Sequence, residues 1–189
     1  MTLLHSDGWI GHWSPGIGDP TIVGWVTVFF YFVGAWECHR LSTIHSVAVN
    51  QRERAIWWAL TLGLLALGIN KQLDLQSALT EIGRFVAMQR GWFGERHEVQ
   101  KQFVYGVAAL AAFTAIAGVY LSREAPPAAI FALVGGILLL GFVVMRAASF
   151  HHFDYFIRRE VLGLSTNGII EIGGIWIIAV SAFWRLRNA

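Results

Sequence analysis

The residues best suited to chemistry lie in one short segment that contains two adjacent histidines and an aspartate. His151 and Asp154 are three positions apart, and on a helix this spacing places both side chains on one face. His152 is turned about 100° away from His151 by the helical period. Histidine nitrogen with carboxylate oxygen is a ligand set that suits Zn, Mn or Fe. A divalent metal such as zinc is therefore a candidate cofactor, with Asp74 and Glu171 as the carboxylates that could complete its site.

The same histidines also fit a role at the membrane surface. They are flanked by aromatic side chains, which are common at the boundary between lipid and water: Phe150, Phe153, Tyr155 and Phe156. The sequence contains no HExxH or HxxxH motif and no second histidine pair. A metal site and an amphipathic surface segment are thus alternative interpretations of these residues.

The composition of the whole chain is typical of a membrane protein. Of its 189 residues, 56% are hydrophobic and 14% are charged, whereas soluble domains carry about a quarter charged residues. A net charge of +2 without a block of Lys or Arg gives no footprint for nucleic acid. The single cysteine, Cys38, excludes an internal disulfide and any CxxC motif. Membrane lipids are the expected partners, together with other proteins or further copies of the chain.

Five stretches between charged residues are long enough, or nearly so, to cross a bilayer as helices. We predict an all-α integral membrane helical bundle that forms a single domain over residues 1–189. Its spans are expected at about residues 20–38, 55–71, 102–122, 126–146 and 167–184. Between the second and third spans, at about residues 73–89, apolar and charged residues recur on two faces with the helical period. This pattern predicts one amphipathic helix that lies at the membrane interface.

Five spans place most of the unusual polar residues on the same side of the membrane. They lie at the exits of the second and fourth spans and at the entry of the fifth, and they form our candidate polar site: Asn70, Lys71, Asp74, Arg146, His151, His152, Asp154, Asn167 and Glu171. Glu171 lies about one turn inside its span, where a charge is costly unless it is paired. Lys71 or Arg146 at matching depth could neutralise it. A structural ion pair and a ligand-binding or proton-accepting carboxylate are both open.

The orientation is predicted from the first span, which often dominates. No basic residue precedes this span and three follow soon after it, namely Arg40, Arg52 and Arg54. Counts over all loops discriminate little, with six basic residues on one side and eight on the other. We therefore expect a multi-pass protein of the cell membrane with its N-terminus outside and its C-terminus in the cytoplasm.

Two phrases of the sequence carry a resemblance to known proteins. LGINKQLDLQ at residues 67–76 and RAASFHHFD at residues 146–154 look like those of small multi-pass bacterial inner-membrane proteins of unassigned function. The resemblance implies a bacterial plasma membrane and no particular activity. A looser similarity is to the alkaline ceramidase-like membrane hydrolases, which use His and Asp residues around a zinc at one leaflet. Those proteins have seven spans and a paired-histidine motif in the last one, so no catalytic role is transferred.

Three functions are compatible with these features. The first is a non-enzymatic accessory protein whose polar cluster holds spans together or binds a lipid headgroup or a partner. The second is a metal-dependent membrane hydrolase or transferase for a lipid-linked substrate, with His151, Asp154, Asp74 and Glu171 as ligands. The third is an oligomeric pathway for ions or small molecules that uses Glu171 and Lys71. The first is our leading hypothesis.

Overall fold

The computed structural model describes residues 14, 16–73, 82, 96–148, 160–161 and 164–188. These residues are predominantly helical, and a two-residue antiparallel strand pair precedes the last helix. In chain order the elements are α1 (Ile22–Thr43), α2 (His45–Ala48), α3 (Gln51–Leu73), α4 (Arg96–Ser122), α5 (Pro127–Ala148), β1 (Glu160–Val161), β2 (Leu164–Ser165) and α6 (Thr166–Arg187).

Four of these helices, α1, α4, α5 and α6, are long and apolar enough to cross a membrane. This confirms the prediction of a helical membrane architecture, although not the count of five spans. Helix α3 has 23 residues, with charged residues near its start and polar residues near its end. The apolar stretch between them is shorter than a span needs, which is about 20 residues. The predicted amphipathic helix lies outside the described residues, apart from Leu73, which ends α3, and Ile82.

The helices are longer than the predicted spans because charged residues extend their ends. Helix α1 continues to Thr43, beyond the predicted end of its span at about residue 38, so Arg40 also lies within it. Its start is set by Thr21, whose hydroxyl accepts a hydrogen bond from the backbone N–H of Gly24 at 3.0 Å and so caps the helix. The link between α4 and α5 is short, since α4 ends at Ser122 and α5 begins at Pro127, five residues later.

Helices α1, α3, α5 and α6 pack as a ring in which each contacts the next. Contacts run from α3 to α1, from α1 to α6, from α6 to α5 and from α5 back to α3. The side chains inside the ring form the buried core, and the largest of them are Trp57, Tyr31, Leu41, Ile56 and Leu64. Helix α4 packs outside the ring, against α5 and α3. Helices α3 and α6 therefore face each other across the ring.

Glycines allow the closest approaches between neighbouring helices. A Cβ atom at Gly174 of α6 would lie 2.8 Å from the side chain of Leu139 in α5, and one at Gly135 would lie 2.8 Å from the Gly174 carbonyl oxygen. A Cβ atom at Gly68 of α3 would lie 3.0 Å from the Cβ of Tyr31 in α1. Small residues at helix contacts are typical of membrane bundles. Gly68 thus lets the Tyr31 side chain lie close to the backbone of α3.

Candidate functional site

An ion pair joins α3 to α6 at one end of the ring. The Lys71 ammonium lies 3.0 Å from Oε2 of Glu171, and the Tyr31 hydroxyl donates a hydrogen bond to Oε1 at 3.1 Å. Lys71 also lies 3.6 Å from a carboxylate oxygen of Asp19. Glu171 is 5% exposed and Tyr31 is 1% exposed. Three helices and the segment before α1 therefore meet in one largely buried polar cluster, which we call the Lys71 cluster (Asp19, Tyr31, Lys71 and Glu171).

Each member of the Lys71 cluster is positioned by a different part of the chain. Lys71 lies in the last turn of α3 and Glu171 in the second turn of α6. Tyr31 lies near the middle of α1, against Gly68. Asp19 lies before α1, where the Gly18 N–H donates to the Gln72 carbonyl oxygen at 2.7 Å and so ties this segment to the end of α3.

Asp19 is held in its charged form by its neighbours. The Thr21 hydroxyl donates to its carboxylate at 2.6 Å and the Thr21 N–H at 3.2 Å. These hydrogen bonds, chiefly that of the hydroxyl, lower the pKa of Asp19, and the nearby Lys71 acts in the same direction. The charge on Asp19 therefore adds to the stability of the folded protein above the ordinary pKa of aspartate.

We expect the Asp19→Asn variant to show a stability loss that depends on pH. Because the folded-state pKa is lowered, the stabilisation is fully present above the unfolded pKa of about 3.9 and is lost as the pH falls through the folded pKa. The variant should thus have a lower Tm than wild type at neutral pH, and the difference should shrink in acid. Thermal unfolding in detergent from neutral pH to about pH 3 measures this. A Tm difference that stays constant over the range would contradict it.

The structure brings together only part of the predicted polar site. Lys71 and Glu171 are in contact, and this is one of the two pairings considered from the sequence. Asn70 lies beside Lys71 in the last turn of α3. Arg146 lies in the last turn of α5 and Asn167 in the first turn of α6.

Asp74, His151, His152 and Asp154 lie outside the described residues. Within the described part of the chain, no three or more His, Cys, Asp or Glu side chains are grouped closely enough to hold a metal ion. Glu171 is the one candidate metal ligand that is described, and both of its oxygens already have partners, Tyr31 and Lys71. A metal at Glu171 would have to compete with the Lys71 ammonium.

A second buried ion pair, at the other end of the ring, was missed from the sequence. Glu53, which is 2% exposed, accepts hydrogen bonds from Arg185 at 2.8 Å and 3.3 Å. The indole N–H of Trp57 donates to the same carboxylate at 3.1 Å. Glu53 lies between Arg52 and Arg54, so its charge looked like part of an ordinary polar loop. A signal was present, because Glu53 and Trp57 are four residues apart and so share one face of a helix.

The two ion pairs join α3 and α6 at both ends in antiparallel orientation. Glu53 and Lys71 are 18 residues apart on α3, about 27 Å along a helix, and Glu171 and Arg185 are 14 apart on α6, about 21 Å. The two ion pairs can hold α3 in the ring, and their charges are neutralised within the protein. Compared with models of protein families, with curated proteins and with solved structures, the chain shows no match.

Proposed function

We propose that the protein is a five-span integral membrane protein with a non-enzymatic accessory role, and that its polar end binds a lipid headgroup or a partner protein. The observation that carries this proposal is the Lys71 cluster. Its central charges, Lys71 and Glu171, neutralise each other inside the bundle. A charge at membrane depth needs such a partner if its role is structural. A catalytic carboxylate would instead need to be open to its substrate.

The fifth span in this proposal is α3, and its place in the ring supports it. On one side it packs against α1 and on the other against α5, both of which are apolar enough to cross a membrane. Its buried Glu53 pairs with Arg185 near the end of α6, and its partly buried Lys71 pairs with Glu171 near the start of α6. The distance from Glu53 to Lys71 along α3 is about 27 Å, which is close to the thickness of the hydrocarbon core, about 30 Å. The short apolar stretch of α3 is thereby compensated by ion pairs at both ends.

Binding at the polar end is supported by the side chain of Gln72. Its amide nitrogen and oxygen are buried, and they form no hydrogen bond within the part of the chain that is described. A buried polar group without a partner costs about 1 to 3 kcal/mol. If the Gln72 side chain turns outward, a headgroup or a partner backbone that bonds its amide would recover that energy next to Lys71.

Deletion of the gene in the source organism tests the accessory role. We expect the level of at least one other membrane protein to fall, and we expect both the wild type and a His151→Ala variant to restore it. His151→Ala is the informative variant, because the metal-dependent enzyme hypothesis requires this residue for activity. An unchanged membrane proteome with accumulation of a lipid-linked compound, corrected by wild type and not by His151→Ala, would replace our proposal with the hydrolase or transferase.

The conducting oligomer is a second candidate because its two proposed residues, Lys71 and Glu171, are in contact and nearly buried. Intramembrane charges that pair with each other also occur in ion and proton pathways. The purified protein in liposomes would then show a flux that Glu171→Gln alters. No flux under any applied gradient would exclude this function.

A further inference from the structure

Two arginines gather around one tyrosine at the end of the ring opposite the Lys71 cluster. The guanidinium carbon of Arg52, near the start of α3, lies 5.3 Å from the centroid of the Tyr120 ring. That of Arg123, in the link after α4, lies 5.6 Å from the same centroid. Glu124 pairs with Arg52, so two cations and one carboxylate meet at this ring. A net positive charge is left beside Tyr120, which is itself 53% exposed.

This charged group lies at the end of an apolar face on α4. Three large side chains lead along the helix toward Tyr120, and each is strongly exposed: Leu110 65%, Phe113 70% and Ile116 70%. Their spacing of three to four residues places them on the same face as Tyr120. Phe113 lies about 10 Å from Tyr120 along the helix axis, which is within the about 15 Å thickness of one leaflet's hydrocarbon region.

We propose that Arg52, Arg123 and Tyr120 form a binding site for the headgroup of an anionic phospholipid whose acyl chains lie along the exposed face of α4. The negative charge of the headgroup phosphate would balance the excess positive charge of the two arginines. Guanidinium groups bind phosphate through paired N–H donors. The Tyr120 ring holds both guanidinium groups in place through cation–π contacts. Glu124 competes with the phosphate for Arg52 and so limits the affinity.

This inference goes beyond the proposed function, which places headgroup binding at the Lys71 cluster, and it rests on α4 facing lipid. Its site is separate from the Lys71 cluster, because Arg52 adjoins Glu53, whose partner Arg185 is in the last turn of α6. The carbonyl oxygen of Glu124 accepts a hydrogen bond from Asn50 at 3.1 Å, which ties the link after α4 to the start of α3. The two arginines are therefore brought together by the fold.

Native mass spectrometry of the purified protein in detergent tests the site. Phosphatidylglycerol and phosphatidylcholine with the same acyl chains are added, and the ratio of their binding constants is measured. We expect wild type to prefer phosphatidylglycerol, and Arg123→Gln to reduce this preference about fivefold, the effect of one basic residue near an anionic surface. Glu124→Gln is expected to increase the preference, because it releases Arg52.

Matched variants separate a specific site from a general charge effect. Arg187→Gln removes another arginine at the same end, one that lies 4.5 Å from the Phe183 ring, and it should leave the ratio unchanged. Glu37→Gln removes a carboxylate from α1. It is the control for Glu124→Gln and should leave the ratio unchanged. Equal losses for Arg123→Gln and Arg187→Gln, no preference in wild type, or displacement of the lipid by inorganic phosphate would each overturn the site. The lipid assay contains no partner protein. A negative result would therefore reject this lipid site without changing the outcome of the deletion experiment, which tests the accessory role.

Discussion

Replacement of Lys71 with methionine is expected to destabilise the protein by about 3 to 5 kcal/mol, the cost of removing one partner from a buried ion pair. Of its partners in the described part of the chain, Glu171 would then keep the Tyr31 hydroxyl and lose the cation that balances its buried charge. The double variant Lys71→Met with Glu171→Gln should recover more than half of this loss. It leaves no charge in the pair and keeps an acceptor for Tyr31. The free energy of unfolding in mixed micelles is the quantity to measure for both variants and for Glu171→Gln alone.

Arg54→Gln is the control for this cycle. Arg54 is an exposed cation on the same helix, and its loss should change the free energy of unfolding by no more than about 0.5 kcal/mol. The account of the Lys71 cluster would be wrong if the double variant lost as much stability as the two single variants added together. Such additivity would show that Lys71 and Glu171 do not interact in the folded protein.

Glu53→Ala is expected to produce a loss of similar size at the opposite end of the ring. It removes the carboxylate that Arg185 and the fully buried Trp57 share, so a partly buried cation and a buried indole N–H are left without this acceptor. We expect a cost of about 3 to 5 kcal/mol. Glu53→Gln should cost less, because the amide oxygen can still accept a hydrogen bond from Trp57. Unfolding in mixed micelles, followed by the fluorescence of the tryptophans, measures both.

The C-terminal arginines provide a matched pair for the Glu53 prediction. Arg185 bonds Glu53, whereas Arg187, two residues later, lies over the Phe183 ring and is exposed. Arg185→Gln should therefore be clearly destabilising and Arg187→Gln nearly neutral. Equal effects of the two substitutions would mean that the charge at the end of α6 matters in general and that the contact with Glu53 does not.

The sequence was informative wherever long apolar stretches or costly charges left few alternatives. Long apolar stretches predicted five spans, and four of the helices are long and apolar enough to cross a membrane, with a short polar link after Ser122 between two of them. Glu171 could be identified because a carboxylate inside an apolar stretch needs a partner. Lys71 was one of two basic residues at a matching depth, and the helix packing selects it.

Other features could not be predicted because they depend on which helix faces which. Tyr31 looked like one aromatic residue among many in its span, and its contact with Glu171 depends on the packing of α1 against α6. Glu53 looked like a loop residue because arginines flank it, and its partner Arg185 is more than a hundred residues away in the chain. Asp19 was not among the predicted site residues. The helical period predicts on which face of a helix a residue lies, but it does not predict which other helix that face contacts.

The side of the membrane on which each terminal segment lies tests the central claim most directly. The claim is that α3 crosses the membrane beside four other spans, held by the Lys71 cluster at one end and by Glu53 and Arg185 at the other. Five spans place the segment before α1 and the end of α6 on opposite sides, and four spans place them on the same side. Gly16 and Asn188, which are both exposed, are replaced singly with cysteine in a Cys38→Ser background.

Intact cells are then treated with a maleimide reagent that does not cross membranes, before and after permeabilisation. We predict that only one position is labelled in intact cells, that it is Gly16→Cys, and that both are labelled once the membrane is opened. Labelling of both positions in intact cells, or protection of both until permeabilisation, would contradict the five-span account and remove α3 from the membrane.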